Sequence, residues 1–157
     1  GAGQLIGYAG GIVDNDLADH GNFRYRFPPN RKRKGKVLEF QKRLFLYNGF
    51  RLEAPCDDLI AVCEFSSVWW LHQNGFPNTV ALMGEGCSAK QAELIVSLVK
   101  PEGKVWVFSE NSNEGEHFAL PLVSQVVSHR FVRWVRLEND CRITQMETKQ
   151  LKTVISF

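Results

Sequence analysis

Between Leu59 and Ala119 the chain alternates short apolar runs with stretches of helical period, and turn residues and acids fall where the apolar runs stop. This pattern constrains the fold more than anything else in the sequence. Residues 59–64 read LIAVCE, a nearly unbroken apolar run of strand length, as expected of a strand covered on both faces. Ser66–Gln73 suits a helix closed by Asn74-Gly75. Asn78–Leu82 forms a second apolar run. Ser88 and Gln91 have capping-box spacing, and Ala92, Leu94, Ile95, Leu98 and Val99 then give one apolar helix face. Pro101-Glu102-Gly103 reads as a turn into a third strand, Lys104–Ser109. A polar loop leads to a helix predicted from Glu116 to His129. Phe131–Leu137 alternates as a fourth strand, and Met146, Leu151, Val154 and Ile155 suggest a last helix. Strands alternating with helices through short links predict an α/β domain over residues 57–157. Its sheet is mainly parallel and flanked by helices.

Residues 1–56 read differently, as a small β-rich basic lobe. LIGYAGGIV surrounds Gly10-Gly11, NFRYRF alternates, and VLEFQKRLFLY suits a strand or a short helix. Pro28, Pro29 and Asn30 run into a loop with Arg31, Lys32, Arg33, Lys34 and Lys36. The net charge of the whole chain is only +2, so no global field draws it to nucleic acid, and any such affinity must be local. A basic run of this kind is ordinarily a solvated loop. Arg24, Tyr25 and Arg26 beside it argue for a phosphate-binding strip, because Lys and Arg dominate contacts to the nucleic-acid backbone.

The remaining chemistry-bearing residues are scattered. Cys56, Cys63, Cys87 and Cys141 form no CxxC pair, and no histidine stands at zinc-ligand spacing from them, which predicts free thiols and no zinc site. Free thiols, no signal peptide and no apolar run of membrane-spanning length predict a cytoplasmic protein that does not engage a membrane. Gly1-Ala2-Gly3 is consistent with a domain cut from a longer protein. Trp69 and Trp70 are adjacent, so one is expected in the core and the other on a helix flank, in preference to base stacking. His72 and His117 lack the partners of a nucleophilic triad and read as helix-surface residues.

Several segments, in order, resemble the TOPRIM domain of bacterial DNA primases and the strip that precedes it. In that family the first strand ends in Glu-Gly, the second is followed by an Ala-Leu-x-Gly loop, and the third ends in Asp-x-Asp-x-x-Gly. Here Ala81-Leu82-Met83-Gly84 resembles the loop, Ser88 with Gln91 the helix start after it, and Gly115 the closing glycine. Upstream, Gly3–Gly11 is similar to the family's Gly-x-Ile-Gly segment. Arg24-Tyr25 is similar to its Lys-Tyr pair, and Lys34-Gly35-Lys36-Val37-Leu38 to the lysine before a short strand. The resemblance spans about residues 4–153 and departs where the chemistry should sit. Ile12 or Gly11 falls at an arginine position. Counting back from Gly75 without a gap puts Cys63 at the catalytic glutamate position and Glu64 at the glycine; a one-residue deletion keeps Glu64 as the glutamate. Glu110 takes the first aspartate position and Ser112 the second.

The resemblance implies Mg²⁺-dependent nucleotidyl transfer. Glu64 and Glu110 would be the catalytic acids, and Glu110, Ser112 and Glu114 the metal-facing groups. Mg²⁺ requires hard oxygen ligands in near-octahedral geometry. A glutamate reaches differently from an aspartate, a serine hydroxyl is neutral, and a thiolate prefers softer metals. Glu64, Glu110, Glu114 and Glu116 could hold at most a weak, rearranged Mg²⁺ site, and the last three equally suit a solvated loop with helix N-terminal charges. Three functions stay open at this point. The chain is a primase-like module of a replication or mobile-element protein with weakened or lost transfer, binding single-stranded DNA, primer-template or replication proteins. Alternatively it is an active core making RNA primers on single-stranded DNA, or a TOPRIM nuclease.

Overall fold

The computed structural model of this chain describes residues 7–12, 25–84, 86–138 and 141–155. They divide into two compact units at Gln41/Lys42.

The first unit consists of two small antiparallel ribbons. Strand β1 (Gly10–Gly11) pairs with β2 (Tyr25–Arg26), and β3 (Arg31–Arg33) pairs with β4 (Lys36–Leu38). The basic run expected as a loop is therefore a hairpin. Lys34 and Gly35 turn it with φ of 50° and 76°, the left-handed conformation that two-residue hairpin turns demand. The Phe27 and Phe40 rings stack with centroids 5.5 Å apart, which supplies apolar packing.

In the second unit, short 3₁₀ turns at Lys42–Leu44 and Gly49–Arg51 lead into β5 (Cys56–Val62). There follow α1 (Phe65–Gln73), β6 (Thr79–Ala81), α2 (Ala89–Leu98), β7 (Val99–Ser109), α3 (Asn113–Val126), β8 (Phe131–Arg136) and α4 (Thr148–Val154). The strands form one parallel sheet in the order β6-β5-β7-β8. Strand alternation sends Leu59, Ala61, Val105 and Val107 to one face, where Ala92 and Ile95 of α2 and Phe118 and Leu122 of α3 cover them. Ile60, Val62, Trp106 and Phe108 face the other way, against Val68 and Leu71 of α1 and Leu151 of α4. The expected α/β architecture, a parallel sheet with helices on both faces after a small β lobe, is what the chain adopts.

Three details differ from the sequence reading. Strand β7 runs through Pro101-Glu102-Gly103 and does not start after it. Its register with β5 jumps from Cys56↔Val99 to Asp58↔Lys104, so the proline and glycine form a bulge, where a missing N–H is tolerated. Gly103 is needed there because a Cβ would meet the Asp57 carbonyl oxygen at 2.5 Å. Helix α3 starts at Asn113, three residues before the predicted Glu116, because Ser112 caps it. Residues 42–56, grouped with the first lobe by composition, lie in the second unit. Tyr47 exchanges backbone hydrogen bonds with Ala81, bordering β6, and the Asn48 amide donates to the Thr79 carbonyl at 2.9 Å.

Neither adjacent tryptophan is fully buried. Trp69 is half exposed and donates its indole N–H to the Tyr47 hydroxyl at 2.8 Å; Trp70 donates to the Met146 carbonyl at 3.0 Å. His72 and His117 are exposed. None of the four cysteines is in a disulfide. Among the described residues no helix is long and apolar enough to cross a membrane.

Candidate functional site

Parallel strands deliver their carboxyl ends to one edge of the sheet, and the loops that follow carry the residues singled out above. After β5 come Cys63 and Glu64. Glu64 is the N-cap residue of α1, exposed, and accepts a hydrogen bond from the Ser66 hydroxyl at 3.3 Å. Cys63 sits between that strand end and the next loop. Its thiol lies 3.6 Å from the Gly84 carbonyl oxygen, and its own carbonyl accepts the Met83 amide at 3.0 Å. The loop after β6 bends sharply at Met83, with φ of 65°. Gly84 lies under Lys42, whose ammonium a Cβ would meet at 2.8 Å. Gln91 fixes this loop from below: its buried side-chain amide donates to the Leu82 carbonyl at 2.9 Å and the Phe45 carbonyl at 3.0 Å.

The loop after β7 is the most tightly built. Ser112 accepts the Gly115 amide at 3.1 Å, satisfying one of the N–H groups that a helix start leaves open. Gly115 lies so close to Glu110 that a Cβ would collide with the Glu110 carbonyl oxygen. Glu114 and Glu116 occupy the first turn of α3, where the helix dipole favours them. Two of the acids are paired with arginines. Glu116 accepts the Arg136 guanidinium at 2.8 Å, and Glu110 lies 3.7 Å from Arg142. The last β7–β8 pair, Ser109↔Arg136, brings Arg136 to this edge, and its guanidinium lies over the Trp134 ring, 4.7 Å from the centroid. Trp134 in turn donates to the Ser109 hydroxyl at 2.8 Å.

Among the described residues the carboxylates of this edge are not gathered as a divalent cation requires. Among the described residues no three His, Cys, Asp or Glu side chains stand together as a metal cluster. Ser112 contributes a neutral oxygen already engaged as a cap, and Glu110 and Glu116 face cationic partners.

Of the basic strip, Arg24 lies outside the described residues. Arg26, Arg31, Lys32, Arg33, Lys34 and Lys36 are all exposed. Arg33 is cross-strand from Lys36, and like charges placed directly opposite destabilise a ribbon. Arg31 also donates to the Tyr8 hydroxyl at 3.5 Å.

The fold has counterparts among solved structures. The Aquifex aeolicus primase, comprising zinc-binding and RNA polymerase domains, superposes with a TM-score of 0.74 at 18% identity, over 96% of this chain and 36% of that one. A DNA primase domain from Pseudomonas aeruginosa superposes at 0.70 and 19% identity, over 90% and 42%. The chain has the fold of a bacterial primase catalytic core. A primase catalytic domain solved with single-stranded DNA also matches, at 0.68 and 20% identity, over 90% of this chain and 43% of that one. The chain thus spans less than half the length of these three primase structures. No protein-family model matches the sequence, and no curated protein sequence does.

Within this primase fold, sequence reasoning overlooked Lys42, Arg136 and Arg142. Arg136 carried a usable signal, as the last residue of an alternating strand predicted to end beside the third. Lys42 and Arg142 carried none, since each reaches the edge from outside a regular strand or helix.

Proposed function

We propose that this chain is a primase-like module that binds single-stranded nucleic acid through its first unit, with metal-dependent nucleotidyl transfer weakened or lost. The observation that carries the reading is the β3–β4 hairpin. A two-stranded ribbon is marginally stable at best, and this one places exposed cations at Arg31, Lys32, Arg33, Lys34 and Lys36, with Arg33 against Lys36. Such an element does not optimise its own stability; phosphates laid along it would relieve the repulsion and release counterions. The likeness to a primase domain solved with single-stranded DNA supports the same ligand class. The carboxylate edge supports the second half of the proposal. Transfer needs metal-held phosphates, and Glu64, Glu110, Ser112 and Glu114 supply no three-acid cluster among the described residues.

The test has two arms. Fluorescence anisotropy should show the chain binding a labelled single-stranded oligonucleotide without added metal. A primer-synthesis assay with Mg²⁺ or Mn²⁺ and ribonucleotides should show no product above background. Primer synthesis abolished by Glu110→Gln would establish the active-core reading instead. No DNA binding at low salt would remove the nucleic-acid role.

A further inference from the structure

The acids on the sheet edge do not stand alone. Ser109↔Arg136 is the last pair between β7 and β8, so Glu110 and the first turn of α3 emerge beside Arg136. Arg136 makes a 2.8 Å charge-assisted hydrogen bond to Glu116 and is placed by the Trp134 ring beneath it, with Trp134 itself held by Ser109. Arg142, entering after β8, brings a second guanidinium to 3.7 Å from Glu110. We infer that Arg136 and Arg142 are built-in counter-ions, supplying to the acidic turn the positive charge that a divalent cation would otherwise supply. The turn keeps its shape through the Ser112 cap and the close approach of Gly115 to Glu110, neither of which requires metal.

The chemistry favours this assignment over a vacant cation site. A guanidinium is permanently charged and planar and holds a carboxylate through directed N–H bonds. It has no octahedral coordination shell, and its N–H groups here are directed at carboxylates, so it can neutralise the turn but cannot coordinate a nucleotide's phosphates together with those acids as Mg²⁺ does. Both pairs are partly exposed, so each adds little to stability, and their effect is on the charge that an incoming cation meets. The inference rests on the proposed reading that transfer is weakened or lost, and adds the residues responsible.

The experiment is a Mn²⁺ titration of the full chain, with free Mn²⁺ read by electron paramagnetic resonance. The natural chain should bind no tighter than millimolar. The double variant Arg136→Gln/Arg142→Gln should bind roughly tenfold tighter or better, because two nearby positive charges have gone. Adding Glu110→Gln to it should abolish the gain. Arg136→Lys/Arg142→Lys, which keeps the charges, should stay as weak as the natural chain. Circular dichroism and thermal melting of each variant check that the fold is retained. If the glutamine variant is folded and binds Mn²⁺ no better, the counter-ion assignment is wrong while the proposed loss of transfer stands. If the natural chain already binds Mn²⁺ stoichiometrically in the micromolar range, and Glu110→Gln removes it, both fail together.

Discussion

Position 115 has no room for a methyl group, because the first turn of α3 folds back onto the backbone of Glu110. Gly115→Ala must therefore move backbone, not a flexible side chain. Overpacking of this kind costs about 1–3 kcal/mol. Urea denaturation should show a lower midpoint with an unchanged slope, and an unaltered midpoint would mean the turn is looser than described. Cys87 offers a second test at this scale. Burial pushes its thiol up to about 11 from an ordinary 9.0, partly opposed by the Arg43 charge. Below pH 9 the thiol is protonated whether the chain is folded or not, and its contribution is fully present. Between 9 and 11 the unfolded thiol releases its proton while the folded one keeps it, so stability falls as pH rises. Cys87→Ala should be less stable at neutral pH, through poorer packing, yet decline less steeply between pH 9 and 11. Thermal melts across that range would show it, and parallel curves would refute it.

Among the elements, the β3–β4 hairpin carries the sharpest prediction. Replacing Arg31, Lys32, Arg33 and Lys34 with alanine should weaken single-stranded DNA binding for all sequences alike and flatten its salt dependence. For every phosphate that the variant no longer neutralises, the slope should fall by about 0.7 log unit per decade of salt. Anisotropy across a salt series measures both effects; unchanged affinity and slope would make the hairpin a solvated element only. The same hairpin shows why some elements were hidden in the sequence. Its charged residues look like a loop because nothing apolar marks a buried face, whereas the second halves of β5 and β7 declared themselves by apolar runs. The first half of β7 was hidden by Pro101 and Gly103, which signal a turn locally but are accommodated as a bulge against Asp57. The Ser88–Gln91 capping box was legible because both partners lie within one turn of the same helix.

At the scale of the whole molecule, the candidate site was legible only in part. Glu64, Glu110, Ser112 and Gly115 follow strand ends and could be found by counting along the chain. The cations that meet Glu110 and Glu116 arrive through strand register and through a segment outside the strands, and one sequence does not display that information. The two edges of the sheet also differ. The outer side of β6 is bordered by Tyr47. Among the described residues β8 has a strand on one side only, and Phe131, 62% exposed, lies on it. An open strand with an exposed ring is a template on which a second molecule can stack. Arg133 and Arg136 interrupt β8 at intervals and make such stacking bring like charges together. Arg136, which pairs with Glu116 at the acidic turn, therefore also acts with Arg133 as a gatekeeper against self-association, and a chain stripped of both should be harder to keep dispersed at high concentration.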